Sequence, residues 1–404
     1  MEHMNKLRKN FIRHARKQAC IAVCVLMAAA TAGLFSSCAR QNMDSSSSNV
    51  RNESSLTPPG IAELTASPTS GDTSSDMPGP DGPDLTPAPS NEPAVSKIVN
   101  PYVRYSWDQM MSEAEKLEEM YPDLISLSSA GKSVEGRELL LVKLGTGGKK
   151  IFMCGAHHAR EYISSSYLMK MIEAYADYSV KGENYGNYDV KTLLREVTIY
   201  ILPMVNPDGV NLVNNGIKAV SNPEAVEAMA LTGTSYREWK SNIDGVDLNR
   251  QYPAYWDEKI DEVGEPASEN FKGTASTTEA EVQAMIALSE ANDFILSASF
   301  HSKGNLVYWA DSGTVDLISG VKDIAKRLCS LTGYELMPVS GKPSVYGAGY
   351  ENWFRLEFKR PSFCIELTSS NSTNLPHNDK DFDPQVWENA KYVGLFLADE
   401  ALKR

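Results

Sequence analysis

Residues 150–163 read Lys150-Ile151-Phe152-Met153-Cys154-Gly155-Ala156-His157-His158-Ala159-Arg160-Glu161-Tyr162-Ile163. The apolar run up to Cys154, stopped by Gly155, has the pattern of a buried strand. From Ile163 to Tyr178 the apolar residues recur at helical spacing. A strand that feeds a helix through a short turn is the building unit of an α/β fold, and this turn carries two histidines and a glutamate.

The same alternation continues on both sides. Upstream, Ser106 is placed to cap a helix running to Tyr121 and closed by Pro122. Downstream, Val197–Leu202 reads as a strand, ended by the turn sequence Asn206-Pro207-Asp208-Gly209. Thr278-Glu279-Ala280-Glu281 has the form of a capping box opening a helix towards Ala291. Strands are expected at Phe294–Phe300, Leu306–Trp309 and Pro361–Leu367, with helices at Val315–Leu331 and Pro384–Leu402. Strands alternating with helices predict a three-layer α/β/α sandwich around a mixed, mostly buried sheet. There is no internal repeat.

Beyond Ser96 the chain has four histidines: His157, His158, His301 and His377. A histidine and a glutamate three or four positions apart lie on one face of a helical turn and can grip one cation. Catalytic zinc takes three N/O ligands and keeps a position open. His301 ends a predicted strand, in Ser299-Phe300-His301-Ser302. In an open α/β sheet the strand ends converge on the binding crevice, so this histidine and the 157–161 turn are expected to meet there. His377 reads as an exposed loop residue.

The stretch Gly155–Ser164, with His158-Ala159-Arg160-Glu161 at its centre, resembles the signature of the zinc carboxypeptidase family. Further segments match in order: Gly136-Arg137, Asn206-Pro207-Asp208-Gly209, Gly245-Val246-Asp247-Leu248-Asn249-Arg250, Ser299–Ser302, and the strand Pro361–Leu367 bearing Glu366. The resemblance covers Tyr102 to Arg404. It implies one zinc ion per chain on His158, Glu161 and His301, with Glu366 as general base. It implies that Arg160 contacts substrate and that Asn249 and Arg250 clamp a terminal carboxylate. An arginine fork suits that task because it binds a carboxylate bidentately.

Two departures stand out against the family pattern. Trp239-Lys240 replaces the usual Trp-Arg, so Lys240 is the candidate for stabilising the oxyanion. The place expected for the tyrosine that closes over substrate holds Arg355, leaving Tyr346 and Tyr350 as candidates. With Trp239-Lys240-Ser241-Asn242 and the Arg-Pro-Ser-Phe run before Glu366, these features are similar to the bacterial γ-D-glutamyl-L-diamino-acid endopeptidase I branch. The resemblance therefore implies a cell-wall muropeptide substrate. The alternatives are a general carboxypeptidase releasing C-terminal L-amino acids, a zinc deacylase, and a binding lipoprotein without turnover.

The rest of the chain suggests export. The sequence has 404 residues, 42% of them hydrophobic, and a net charge of −13. Residues 1–38 hold six Lys/Arg and one Glu; without them 33 basic and 51 acidic residues remain, a net −18. Such a surface repels phosphate backbones and argues against nucleic acid as a partner. The basic start, the apolar run Ala19–Leu34 and Leu34-Phe35-Ser36-Ser37-Cys38 resemble a bacterial lipoprotein signal in which Cys38 is lipidated. An ordinary cleavage site and a retained anchor are the other readings. Residues 39–99 are rich in Ser, Pro and Gly, and no aromatic residue occurs from Ala39 to Ser96. They read as a disordered linker before a catalytic domain spanning 100–404. The expected protein is extracytoplasmic and monomeric, touching membrane only through its N-terminal anchor. Cys154, Cys329 and Cys364 are too few and too scattered for a disulfide framework and read as buried thiols.

Overall fold

Ile151, Phe152, Met153 and Cys154 are all fully buried, each apolar side chain of this kind contributing about 1.5–3 kcal/mol on leaving water. In the computed structural model, which describes residues 98–230, 235–370 and 376–404, they form the middle of an eight-stranded sheet. Its strands are β1 (Ile125–Lys132), β2 (Glu138–Leu144), β3 (Lys149–Gly155), β4 (Val197–Leu202), β5 (Phe294–Ser302), β6 (Leu306–Tyr308), β7 (Glu335–Leu336) and β8 (Ser362–Leu367). The spatial order is β1-β2-β4-β3-β5-β8-β6-β7.

The four central strands β4, β3, β5 and β8 run parallel. β2 joins β4 and β6 joins β8 antiparallel, which makes the sheet mixed. Successive residues face opposite layers. Ile151 and Met153 pack with α1 (Trp107–Met120), α2 (Ile163–Lys181), α5 (Val321–Thr332) and α7 (Val393–Leu402). Phe152 and Cys154 pack with α4 (Ala280–Glu290) and α6 (Tyr350–Phe358). The expected α/β/α sandwich is the fold observed. No described helix is long and apolar enough to cross a membrane. The 1–38 signal, Cys38 and almost all of the 39–99 linker lie outside the described residues.

Several local expectations change. Asn206-Pro207-Asp208-Gly209 does not end in a turn; Asn206 caps a further helix, α3 (Pro207–Asn215), its side chain accepting from the Gly209 amide with Pro207 at the first position. The capping box does not form: Glu279 is the N-cap of α4 without a side-chain bond, and the Thr278 hydroxyl donates instead to Gln251 Oε1 at 3.0 Å. The Val315–Leu331 helix begins only at Val321, because Gly320 takes a left-handed φ of 71°. The C-terminal helix breaks around Lys391–Tyr392. His377 is buried rather than exposed, 2.9 Å from Asp379 and packed on Tyr162. Cys154 is buried, whereas Cys329 and Cys364 are half-buried; all three are free thiols.

Candidate metal centre and active site

The four parallel strands end on one side of the sheet, and the candidate site is built there. After β3, Ala156 takes a positive φ of 49° and turns the chain. Asn206 holds the turn from the neighbouring strand, its Nδ2 donating to the His157 carbonyl at 3.2 Å and the Ser241 carbonyl at 2.9 Å. Gly209 allows this closeness: a Cβ there would lie 2.7 Å from the Ala159 Cβ and 2.8 Å from the Ser241 carbonyl. One turn of 3-10 helix, Ala159–Glu161, then sets His158 and Glu161 side by side. His301 arrives at the end of β5, and Glu366 pairs with it in the parallel register of β8.

His158, Glu161 and His301 are buried and aim their donor atoms at one another. His158 Nδ1 is 2.9 Å from Glu161 Oε1, His301 Nδ1 is 3.0 Å from Glu161 Oε2, and the two Nδ1 atoms are 3.2 Å apart. Ligands about 2.0–2.1 Å from a tetrahedral zinc ion stand roughly 3.3 Å apart, so this donor set fits zinc in both spacing and chemistry. Burial would raise the Glu161 carboxyl, but His158 and His301 outweigh it and hold Glu161 well below the usual range.

Behind His158 lies Asp247, fully buried, its Oδ1 3.1 Å from His158 Nε2 and its Oδ2 2.8 Å from Lys240 Nζ. Burial works against its charge, yet Lys240, Arg250 and His158 keep it well below the carboxylate range. The carboxylate thereby fixes the tautomer of a candidate ligand. Asp247 belongs to the Gly245–Arg250 motif, whose match to the family points to Asn249 and Arg250 and not to this carboxylate. Lys240, Asn249 and Arg250 are its neighbours in sequence, whereas the imidazole that it backs lies 89 positions away.

Glu366 Oε2 is buried without a partner. Burial, with the Glu161 and Glu351 carboxylates adding and His301 and Lys240 opposing, pushes Glu366 up to about 8. His157 faces away from the donor cluster, its Nε2 bonded to the Tyr252 hydroxyl at 3.0 Å and its ring stacked on His301. Burial takes His157 down to about 3, so it is neutral.

A model of the zinc carboxypeptidase family matches residues 110–390. The chain belongs to the zinc carboxypeptidase family. It is a metallopeptidase of a zinc-dependent kind. It is 31% identical over 310 residues to gamma-D-glutamyl-L-diamino acid endopeptidase 1 of Lysinibacillus sphaericus, covering 75% of this chain and 74% of that protein. It is 25% identical over 322 residues to carboxypeptidase B of Astacus astacus, covering 73% of this chain and 97% of that one. The bovine thrombin-activatable fibrinolysis inhibitor, solved in complex with tick carboxypeptidase inhibitor, superposes with a TM-score of 0.58 at 21% identity, over 75% of this chain and 99% of that one. That likeness is one of fold.

Within this carboxypeptidase frame the other candidates take distinct places. Arg160 donates to the Glu238 carbonyl at 2.8 Å and to Glu269 at 3.0 Å. Lys240 is engaged by Asp247 and reaches Asn270 Oδ1 at 3.3 Å. Arg250 is loosely held, 3.7 Å from Asp247 and 4.0 Å from Glu262, with Nε unpartnered. Asn249 Oδ1 accepts from the Tyr350 amide at 2.9 Å. Tyr350 is not available to close over substrate: it is fully buried in the core below the site, its hydroxyl 3.2 Å from Ser289 Oγ. Tyr346 stays at the surface, beside Tyr255 and Ser312. Arg355 is buried in a salt bridge to Asp311 at 3.0 Å, so the residue at the expected tyrosine place is part of the scaffold.

Proposed function

We propose that this metallopeptidase cleaves the γ-D-glutamyl bond to a diamino acid in cell-wall peptides. The observation that supports the reading most is the 31% identity, over three quarters of both chains, to a relative whose name states that activity. His158, Glu161 and His301 would hold the zinc. Bound there, zinc supplies Lewis acidity, which polarises a carbonyl and makes water more acidic. Glu366 takes a proton from the attacking water and returns it to the departing amine. Burial raises its proton affinity, and the charge of bound zinc would bring it back towards the carboxylate that takes a proton. Lys240 lends positive charge beside the scissile carbonyl, Arg160 and Tyr346 contact the substrate, and Asn249 and Arg250 receive its carboxylate.

A second reading is release of single C-terminal L-amino acids. Arg250, held only at 3.7 Å by Asp247 and 4.0 Å by Glu262, would serve a chain-terminal carboxylate in this reading as well. We further propose that the protein is exported, anchored through lipidated Cys38, carried on the 39–99 linker, and active as a monomer. Product mass spectrometry on a mixed panel tests the substrate, with Glu366→Gln as the blank. Release of the diamino-acid portion from L-Ala-γ-D-Glu-diaminopimelate peptides, with L-peptides untouched, supports the wall-peptide reading. Release of single L-residues alone overturns it in favour of the second.

A further inference from the structure

The two imidazoles of the donor cluster differ on their outer sides. His158 Nε2 faces Asp247 Oδ1 at 3.1 Å. His301 Nε2 is buried and makes no hydrogen bond. Glu351 Oε1, also buried and also without a partner, stands 3.8 Å from it. The residues are only 1% and 4% exposed, so neither group is served by bulk water.

An imidazole that binds a cation through Nδ1 carries its proton on Nε2, and that N–H must then be satisfied. Two buried polar groups with complementary needs face each other here. A closure of roughly 1 Å brings them to hydrogen-bond distance. Glu351 stands in the first turn of α6, and its side chain has three rotatable bonds between the backbone and the carboxylate. The two sides of the centre are also joined by one residue. Asn249 donates its amide to Asp247 Oδ1 at 3.1 Å and accepts from the Tyr350 amide at 2.9 Å, linking the carboxylate behind His158 to the helix start bearing Glu351.

We propose that Glu351 is the positioning carboxylate of His301, its Oε1 accepting a hydrogen bond from Nε2–H as Asp247 Oδ1 does from His158. Each imidazole of the centre is then backed by a buried carboxylate that fixes its tautomer and strengthens its hold on the metal. The proposal rests on the zinc ligands assigned above.

The test uses the full protein without substrate and reads zinc transfer to a chelator and the visible spectrum of the cobalt-substituted form. Glu351→Ala should weaken zinc retention roughly 10- to 100-fold and shift the cobalt bands. Glu351→Gln, which keeps an acceptor oxygen and the shape, should fall between it and wild type. Cys364→Ser, at the thiol that lies within 4.8 Å of both groups, should behave as wild type. Thermal unfolding of the metal-free proteins verifies that the Gln variant folds. If both Glu351 variants hold zinc like wild type, the proposal is overturned. A second zinc per chain that Cys364→Ser removes would overturn it too, by placing an ion between the two groups. A wild-type protein that binds no zinc overturns the ligand assignment and this proposal with it, whereas zinc-loaded wild type with indifferent variants overturns this proposal alone.

Discussion

Glu366 stands directly beside His301 in the parallel ladder between β8 and β5. Adjacent parallel strands are about 4.8 Å apart, so the pairing alone brings a carboxylate to the edge of the donor cluster. Glu366→Gln keeps the shape and removes the proton-accepting charge. It should retain zinc while turnover falls roughly 100- to 10,000-fold. Steady-state kinetics beside metal analysis checks both halves, and retained activity would remove Glu366 as the base.

Asp247 answers four groups at once: His158, Lys240, Arg250 and the Asn249 amide. Asp247→Ala leaves the Lys240 ammonium, itself only 9% exposed, without its carboxylate. Losing one partner of a buried pair costs about 3–5 kcal/mol. Zinc affinity should fall as well, by roughly 10- to 100-fold. Urea unfolding and chelator competition measure the two effects separately. A stable variant with wild-type zinc affinity would show that Asp247 is dispensable.

Arg355 and Asp311 form a second buried pair, to which Asn352 adds a hydrogen bond at 2.8 Å. Arg355→Met should destabilise the fold by about 3–5 kcal/mol while leaving kcat/KM of the folded fraction unchanged. Arg355→Tyr should gain no activity, because the position points into the scaffold. An Arg355→Tyr variant with higher kcat would contradict this.

How much of this was legible in the sequence depends on range. Lys149–Gly155 and Val197–Leu202 were readable because strands buried on both faces are continuous apolar runs. Ser106 was readable as a cap because its partner, the Gln109 amide, is three residues away. Thr278 misled because Gln251, distant in sequence, competes for its hydroxyl. The donor cluster could be anticipated from strand ends and motifs. The carboxylates behind the imidazoles could not, since Asp247 and Glu351 reach them from 89 and 50 positions away. Tyr350 looked like a site residue because it lies near Trp353 in sequence, and only the packing against Phe152, Tyr252 and Phe354 takes it into the core.

Glu281 gives the fold a pH dependence away from the metal. It is fully buried; Oε1 takes the Val134 amide at 3.3 Å and Oε2 has no partner. Burial, with Asp208 and Glu279 nearby, pushes it from an ordinary 4.5 up to about 8. Because the folded-state value lies above the unfolded one, its contribution is fully present below the unfolded value and is lost as pH rises through about 8. In that window the loss approaches about 1.4 kcal/mol per pH unit. Glu281→Gln should flatten the decline. Urea unfolding at pH 5, 6.5 and 8 measures it, and equal slopes for the two proteins would refute the assignment.

The most direct test of the account is the zinc content of purified wild-type, His301→Ala and Glu366→Gln proteins. The predicted result is about one zinc per chain in wild type and Glu366→Gln, and far less in His301→Ala, with only wild type active. An active wild-type protein free of metal, or full zinc in His301→Ala, would contradict it.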